Sequence, residues 1–304
     1  MISITGMAPG ERPTVDEWRA KGQFKDLLDH RIFFVDTATE QPPLLLIHGF
    51  PTSSWDWVDV WPMLSEDYRL IAPDLLGFGL SAKPRGHRYT IREQADLVQA
   101  VVHHLRLDSF HVLCHDYGDT VGQELLARQN AGAGAGRWRT VCFLNGGLLA
   151  EAHRARPIQR LLASSLGPYL VPFMSRGTFD ANMKRVFGPN TQPSPELLDS
   201  MWTLLNVSNG KRAIPDLLSY IRERREQRSR WVGAIQHSRV PVGIINGPAD
   251  PVSGAHMVER LKEVVDQPLF IETLPDIGHY PQCEAPQAVV EAWRRFVSST
   301  ESEA

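Results

Sequence analysis

Residues 110–126, FHVLCHDYGDTVGQELL, constrain the fold of this chain more than any other stretch. The run 110–114 is apolar without alternation, as in a strand buried on both faces, and helical composition follows from residue 119 onward. Small residues, Cys114 and Gly118, stand two positions either side of Asp116. A chain that passes from strand to helix in so few residues turns sharply. The residue at the apex is then held in strained backbone, with its side chain proud of the sheet at a helix N-terminus. The competing reading is that Asp116 only caps the helix that follows.

The rest of the chain repeats the strand-then-helix rhythm. Continuous apolar runs at 44–48, 69–73, 110–114, 140–144, 242–246 and 269–273 predict buried strands of a mostly parallel sheet covered on both faces. Ahead of them, Thr14 and Glu17 form a capping-box pattern for a short helix over 16–21, and strands around 24–28 and 31–35 predict an antiparallel edge. From 146 the strand rhythm stops, and helical segments broken by Pro157, Pro168, Pro172, Pro189, Pro193 and Pro215 take over. This predicts a helical cap over 146–232 inserted into a core of 1–145 and 233–304. The Ala-Gly alternation at 131–136 predicts a flexible surface connector. Arg222, Arg224, Arg225, Arg228 and Arg230, interleaved with Glu223 and Glu226, predict a solvated helix face.

With 304 residues, 42% of them hydrophobic, the chain can bury a core of that size. Its 32 Lys+Arg against 35 Asp+Glu leave a charge of −3, so no global field recruits nucleic acid or an anionic membrane. A small hydrophobic molecule and water are the expected partners. Three cysteines without metal-like spacing suit a reducing compartment, with cytoplasm the expectation. The opening residues carry no apolar leader core and no later run reaches the roughly 20 apolar residues of a membrane span, so neither secretion nor anchoring is expected.

Two further loops follow predicted strand ends. NGPADPVSGAHM places Asp250 after the run 242–246, and LPDIGHYPQCEAP places His279 after the next strand. The string HGFPTSSWDW follows the run 44–47; there the backbone N–H of Phe50, with that of Tyr117 after the apex, is placed to form an oxyanion hole. No G-x-S-x-G occurs, and the nearest string, residues 79–83, lacks its second glycine, which disfavours serine chemistry. DLLGFGLSAKP has Ala82 where a dinucleotide fingerprint needs glycine, so no cofactor is assigned. A carboxylate attacking an ester carbonyl would give an anhydride, whereas attack on an sp3 carbon gives an ordinary ester. Asp116 therefore points to displacement at carbon. Water deprotonated by His279 then hydrolyses the ester, with Asp250 holding the imidazole. No metal is required.

Taken together these residues resemble the α/β-hydrolase superfamily in its carboxylate-nucleophile branch, where epoxide hydrolases and haloalkane dehalogenases sit. HGFPTSSWDW, DLLGFGLSAKP, HDYGDTVGQELL, LNGG, SYIRERREQRSRWVGA and HYPQ are similar in wording to the mesoderm-specific transcript protein family over about residues 16–298. The resemblance implies an α/β-hydrolase fold with the chain order nucleophile, acid, histidine, and an epoxide opened to a diol. In epoxide hydrolases cap tyrosines protonate the opening oxygen; here Tyr220 or Tyr169 would do so, or either packs the cap on the core. Haloalkane dehalogenases carry Asn at the place of Phe50 and Trp at that of Tyr117. Two halide donors are thus missing, although Trp202 could restore one. Fluoroacetate dehalogenases carry Arg where Tyr117 stands. A catalytically silent fold used as a binding module is the third reading.

Other residues have narrower expectations. His48, Pro51 and Trp202 are candidate substrate-side residues, His48 by ordering its own turn. Asp119 is expected to favour the helix dipole, or to raise the pKa of Asp116 if it points inward. Adjacent His103 and His104 point apart on a helix and suit a surface. Leu161, Leu162, Leu166, Phe173, Phe187, Met201 and Leu204 favour a hydrophobic substrate. A homodimer is compatible with this reading.

Overall fold

The computed structural model describes residues 12–301, so the segment read for a leader lies outside the described residues up to Glu11. The eight strands are β1 (Gly22–Leu27), β2 (His30–Asp36), β3 (Pro43–Ile47), β4 (Arg69–Pro73), β5 (Ser109–His115), β6 (Arg137–Leu144), β7 (Val242–Asn246) and β8 (Phe270–Thr273). They form one sheet in the order β1-β2-β4-β3-β5-β6-β7-β8. β2 pairs antiparallel with β1 and β4, and every other pairing is parallel. This is the expected α/β-hydrolase fold. β5 and β7 are buried almost throughout, as their unbroken apolar runs require of strands covered on both faces. The run 269–273 departs from expectation: β8 is half-buried, because it ends the sheet and has one neighbour.

Thr14 and Glu17 close the capping box of the first helix, Val15–Lys21. The stretch 131–136 is a surface turn with positive φ at Gly132 and Gly136, tied down by the buried Ala135 and by the Ala133 N–H donating to the Arg128 carbonyl at 2.9 Å. Between β6 and β7 the chain is helical, and several prolines that interrupt the pattern start short helices, where a fixed φ and a missing N–H cost little. The last of these helices, Arg228–Gln236, lies against the helix Tyr117–Asn130. Glu124 accepts from Arg230 Nε at 2.7 Å and from Trp231 Nε1 at 2.9 Å, and Asn130 Nδ2 donates to the Ala234 carbonyl at 2.9 Å. The expected boundary at 232 falls inside this helix. Among the described residues no helix is long and apolar enough to cross a membrane.

The helix Tyr117–Asn130 is buried from Tyr117 to Ala127, so its position fixes everything above it. Its first turn presses onto the end of β3: a methyl group on Gly118 would lie 2.3 Å from the Ile47 carbonyl oxygen and 2.6 Å from that of His48. Gly118→Ala is therefore expected to lower stability by about 1–3 kcal/mol, the cost of overpacking a close-packed core. Chemical denaturation measures it, and an unchanged midpoint would contradict this packing.

Candidate active site

Asp116 follows β5 with φ 49° and ψ −103°, a conformation unfavourable for a residue with a Cβ. The turn lifts its carboxylate off the sheet, where Oδ2 accepts the Phe50 N–H at 3.0 Å. Tyr117 opens the helix that follows, so its N–H has no carbonyl within that helix to bond. The parallel strands deliver the other two residues to the same edge. His279 Nε2 lies 3.8 Å from Asp116 Oδ2, and its Nδ1 donates to Asp250 Oδ2 at 2.8 Å. The three residues picked from separate loops thus converge.

The surrounding backbone fixes their orientation. Asp250 accepts the N–H groups of Val252 and Ser253 at 2.7 and 3.1 Å and Asn145 Nδ2 at 3.1 Å. Asn145 also brackets Gly247, donating to its carbonyl at 2.9 Å and accepting its N–H at 2.7 Å, which locks the end of β6 to the loop after β7. Glu284 accepts the N–H groups of Gly278 and Tyr280, both at 2.9 Å, either side of His279. His115 Nε2 donates to the His279 carbonyl at 2.8 Å; burial pushes this imidazole down to about 4, so it is a neutral brace. Sequence reasoning passed over Asn145, His115 and Glu284, although Asn145 and His115 each sit at the end of a predicted buried strand.

Burial works against the charges of His279 and Asp116, yet both prevail. For His279, burial is outweighed by the charge of Asp250 and by interaction with Asp116, so the imidazolium is held well above its ordinary range. For Asp116, burial is outweighed by the facing His279, with Arg224 among the smaller contributions, and the carboxylate is held below its ordinary range. Asp119 does point inward and is buried, with burial followed by the nearby Asp116 pushing its carboxyl well up. The expectation that it would raise Asp116 is not met, because His279 dominates.

A cavity of about 100 Å³ opens over Asp116 and His279. Phe50, Pro51, Val252 and Tyr280 form its core side, while the helical insertion contributes Ile158, Leu162, Met183, Leu205 and Ile214 together with the polar Arg156, Gln159 and Asn182. Pro51 therefore lines it, whereas His48 does not: His48 Nδ1 donates to the Gly49 carbonyl at 2.8 Å and Nε2 accepts the Leu75 N–H at 3.0 Å, bracing the turn. Trp202, expected on the substrate side, instead packs on Phe179 at 5.4 Å between centroids and lies outside the lining. Tyr169 is 74% exposed, and this removes it as a proton donor at the site. Tyr220 is buried outside the lining of this cavity, 4.9 Å from the Tyr117 ring, and its hydroxyl faces Arg224 without a close hydrogen bond. Tyr280 reaches the cavity wall, but its hydroxyl donates to the Phe50 carbonyl at 3.1 Å.

The basic run of the insertion is not one solvated face. Arg224 is buried; its Nε and Nη2 donate to Thr120 Oγ1 at 2.9 and 2.7 Å, and its guanidinium lies 4.6 Å from the centre of the Tyr220 ring. The glycine pair of LNGG makes room for this layer. A methyl on Gly146 would meet Asp119 Oδ2 at 1.9 Å, and one on Gly147 would meet Arg224 Nη1 at 2.0 Å. The i, i+4 spacing of Tyr220 and Arg224 was the available signal. Arg228 and Arg230 pair with Glu151 and Glu124, and Arg222 with Glu226 at the surface, whereas Arg225 is exposed with no ion pair among the described residues. Among the described residues, His30, His87 and Glu93 bring metal-ligand atoms within 4.8 Å of one another, away from the cavity lining. Neither histidine has, among the described residues, the hydrogen bond on its other ring nitrogen that usually orients a metal-bound imidazole.

Residues 42–131 match the family described as alpha/beta hydrolase fold. The mesoderm-specific transcript homolog protein of Bos taurus is 40% identical over 96% of this chain and 90% of its own length. Among solved structures, the haloalkane dehalogenase DbeA of Bradyrhizobium elkani aligns with a TM-score of 0.77 at 19% identity, covering 93% of this chain and 99% of its own. The epoxide hydrolase CorEH aligns at 0.72 and 22%, covering 91% and 98%. At these identities the two structures share the fold.

The coupling of His279 to Asp116 has a direct readout. Neutralising the carboxylate in Asp116→Asn removes part of what holds the imidazolium, so His279 is expected to lose its proton at lower pH than in the wild type. Nitrogen-15 NMR titration of the imidazole measures the midpoint; equal midpoints would show that the 3.8 Å approach carries no charge coupling.

Proposed function

The chain belongs to the mesoderm-specific transcript protein family of α/β hydrolases, and from that premise we propose that it opens an epoxide to a diol through an ester on Asp116. The observation that carries this reading is a carboxylate at the apex of a strained turn, facing an apolar cavity, with a His279–Asp250 pair against it. The helices between β6 and β7 act as the cap that closes the cavity. An Asp116 oxygen attacks one epoxide carbon, the carbon–oxygen bond breaks, and the released oxygen takes the proton of Tyr220, whose buried side chain has to turn past the cavity wall when substrate binds. Arg224, beside that ring, offsets the negative charge left on the phenol and anchors the cap to Thr120.

Ester formation also removes the charge of Asp116, which frees His279 to release its proton, by way of solvent, to the Tyr220 phenolate and then to act as base. Water deprotonated by His279 attacks the ester carbonyl, the N–H groups of Phe50 and Tyr117 take up the oxyanion, and collapse expels the diol oxygen, which takes the proton of the new Asp116 carboxyl and leaves Asp116 ionised and His279 protonated as at the start. None of these steps calls for a metal or organic cofactor. Support for an epoxide over a halide comes from the leaving-group side: the buried Tyr220 hydroxyl makes no close hydrogen bond, and the one cap indole considered as a halide donor, Trp202, is packed on Phe179. Three free, buried cysteines accord with a reducing compartment, and cytoplasm is the proposed location.

Turnover of aromatic and aliphatic epoxides, with chloro- and bromoalkanes alongside, tests the reading. Diol formation is expected from the wild type, abolished in Asp116→Asn and reduced at least about 100-fold in Tyr220→Phe, the usual scale for a lost general acid. Halide release that survives Tyr220→Phe but not Asp116→Asn would assign the chain to dehalogenation instead.

A further inference from the structure

Six large hydrophobic residues are exposed among the described residues, and five of them, Leu161, Leu166, Tyr169, Leu170 and Phe173, fall within one thirteen-residue stretch of the cap. Phe173 is 84% and Tyr169 74% exposed. Both ends of this stretch reach the cavity, through Leu162 and Met174, so its outer face is the outer surface of the cavity wall. Exposed apolar residues concentrated in this way mark an interaction surface.

The charge beside this patch is mostly positive. From Ala152 to Phe179 the sequence holds Arg154, Arg156, Arg160 and Arg176 and no Asp or Glu. Arg176 is neutralised by Asp180, but Arg154 and Arg160 are exposed, and Lys211 donates to the Pro172 carbonyl at 3.3 Å beside Phe173. Arg160 also lines a groove of about 370 Å³ on the cap, which it shares with Arg225, Ser219 and Ile221 and with Arg222, itself paired with Glu226 at 3.3 Å. Leu218 lines both this groove and the catalytic cavity. The formal charge of −3 over the whole chain conceals this local excess.

We propose that this face of the cap docks on an anionic phospholipid surface, headgroup phosphates meeting Arg160, Arg222 and Arg225 while Leu166, Tyr169 and Phe173 enter the acyl boundary. Apolar contact plus cationic attraction is the combination that holds a protein in the interfacial plane without a spanning helix. The docked face sets the cavity against the bilayer, where an apolar substrate is concentrated. A second copy of the chain fits this face poorly, because two-fold pairing would bring arginine against arginine. Docking does not depend on the epoxide reading, since it is measured as binding.

Co-sedimentation of the full chain with phosphatidylcholine vesicles, with and without phosphatidylglycerol, tests the proposal. The wild type is expected to sediment with the phosphatidylglycerol vesicles and to be released by salt. Affinity is expected to fall about fivefold for each of Arg160→Gln, Arg222→Gln and Arg225→Gln, and by at least as much in Tyr169→Ser with Phe173→Ser, with melting temperatures and turnover of a water-dissolved substrate unchanged. Any of four results overturns it: no sedimentation, equal sedimentation with both vesicle types, equal sedimentation of all variants, or a dimer in sedimentation equilibrium that the Tyr169→Ser/Phe173→Ser protein lacks. Binding of inorganic phosphate alone, without vesicle association, would also overturn it.

Discussion

The structure depends on one buried negative charge held at a backbone turn that disfavours it. Asp116 sits at φ 49° between β5 and its helix, and the only way to reach that apex is to press the helix onto the end of β3, where Gly118 leaves no room for a methyl group. The same close approach brings the Phe50 N–H to the carboxylate and sets the helix N-terminus beneath it. His279 supplies the opposing charge across 3.8 Å, and Asp250 secures that charge from behind. Buried charges persist only in such mutually compensating sets.

Most of this arrangement was legible in the sequence because parallel strands direct their C-terminal loops to a common edge. The motifs around Asp116, Asp250 and His279 each follow an apolar run, so their convergence followed from the fold once the strands were recognised, and β4 and β7 match their predicted limits. β8 was misjudged because hydrophobicity reports burial without saying which strand lies at the edge. The helical insertion was the least legible part. Which way Tyr169, Trp202 or Tyr220 faces depends on how short helices pack on one another, and their patterns alone leave that open. Arg224 was hidden for a related reason: an arginine within a charged run reads as solvated, and only the gap above Gly147 and the hydroxyl of Thr120 accommodate it inside.

The insertion thus has two contrasting faces built from one short stretch of chain. In the helix Pro157–Leu162, Ile158 and Leu162 turn to the cavity, Arg160 to the outer groove and Leu161 to the surface. A low net charge and an average composition summarise the whole chain, while recognition is decided where like side chains cluster. The buried layer of Arg224, Tyr220 and Thr120 joins the insertion to the helix that follows Asp116, so the position of the insertion and the geometry of the site are mechanically linked.

The central claim is that a protein carboxylate, and not water, attacks the substrate. A single turnover in water enriched in oxygen-18, with enzyme in excess over epoxide, tests it most directly. Attack by Asp116 predicts a first-turnover diol without label and one oxygen-18 atom in the carboxylate of Asp116, found by peptide mass spectrometry. A labelled diol with unlabelled Asp116 would mean that water adds directly to the epoxide, and would contradict the account.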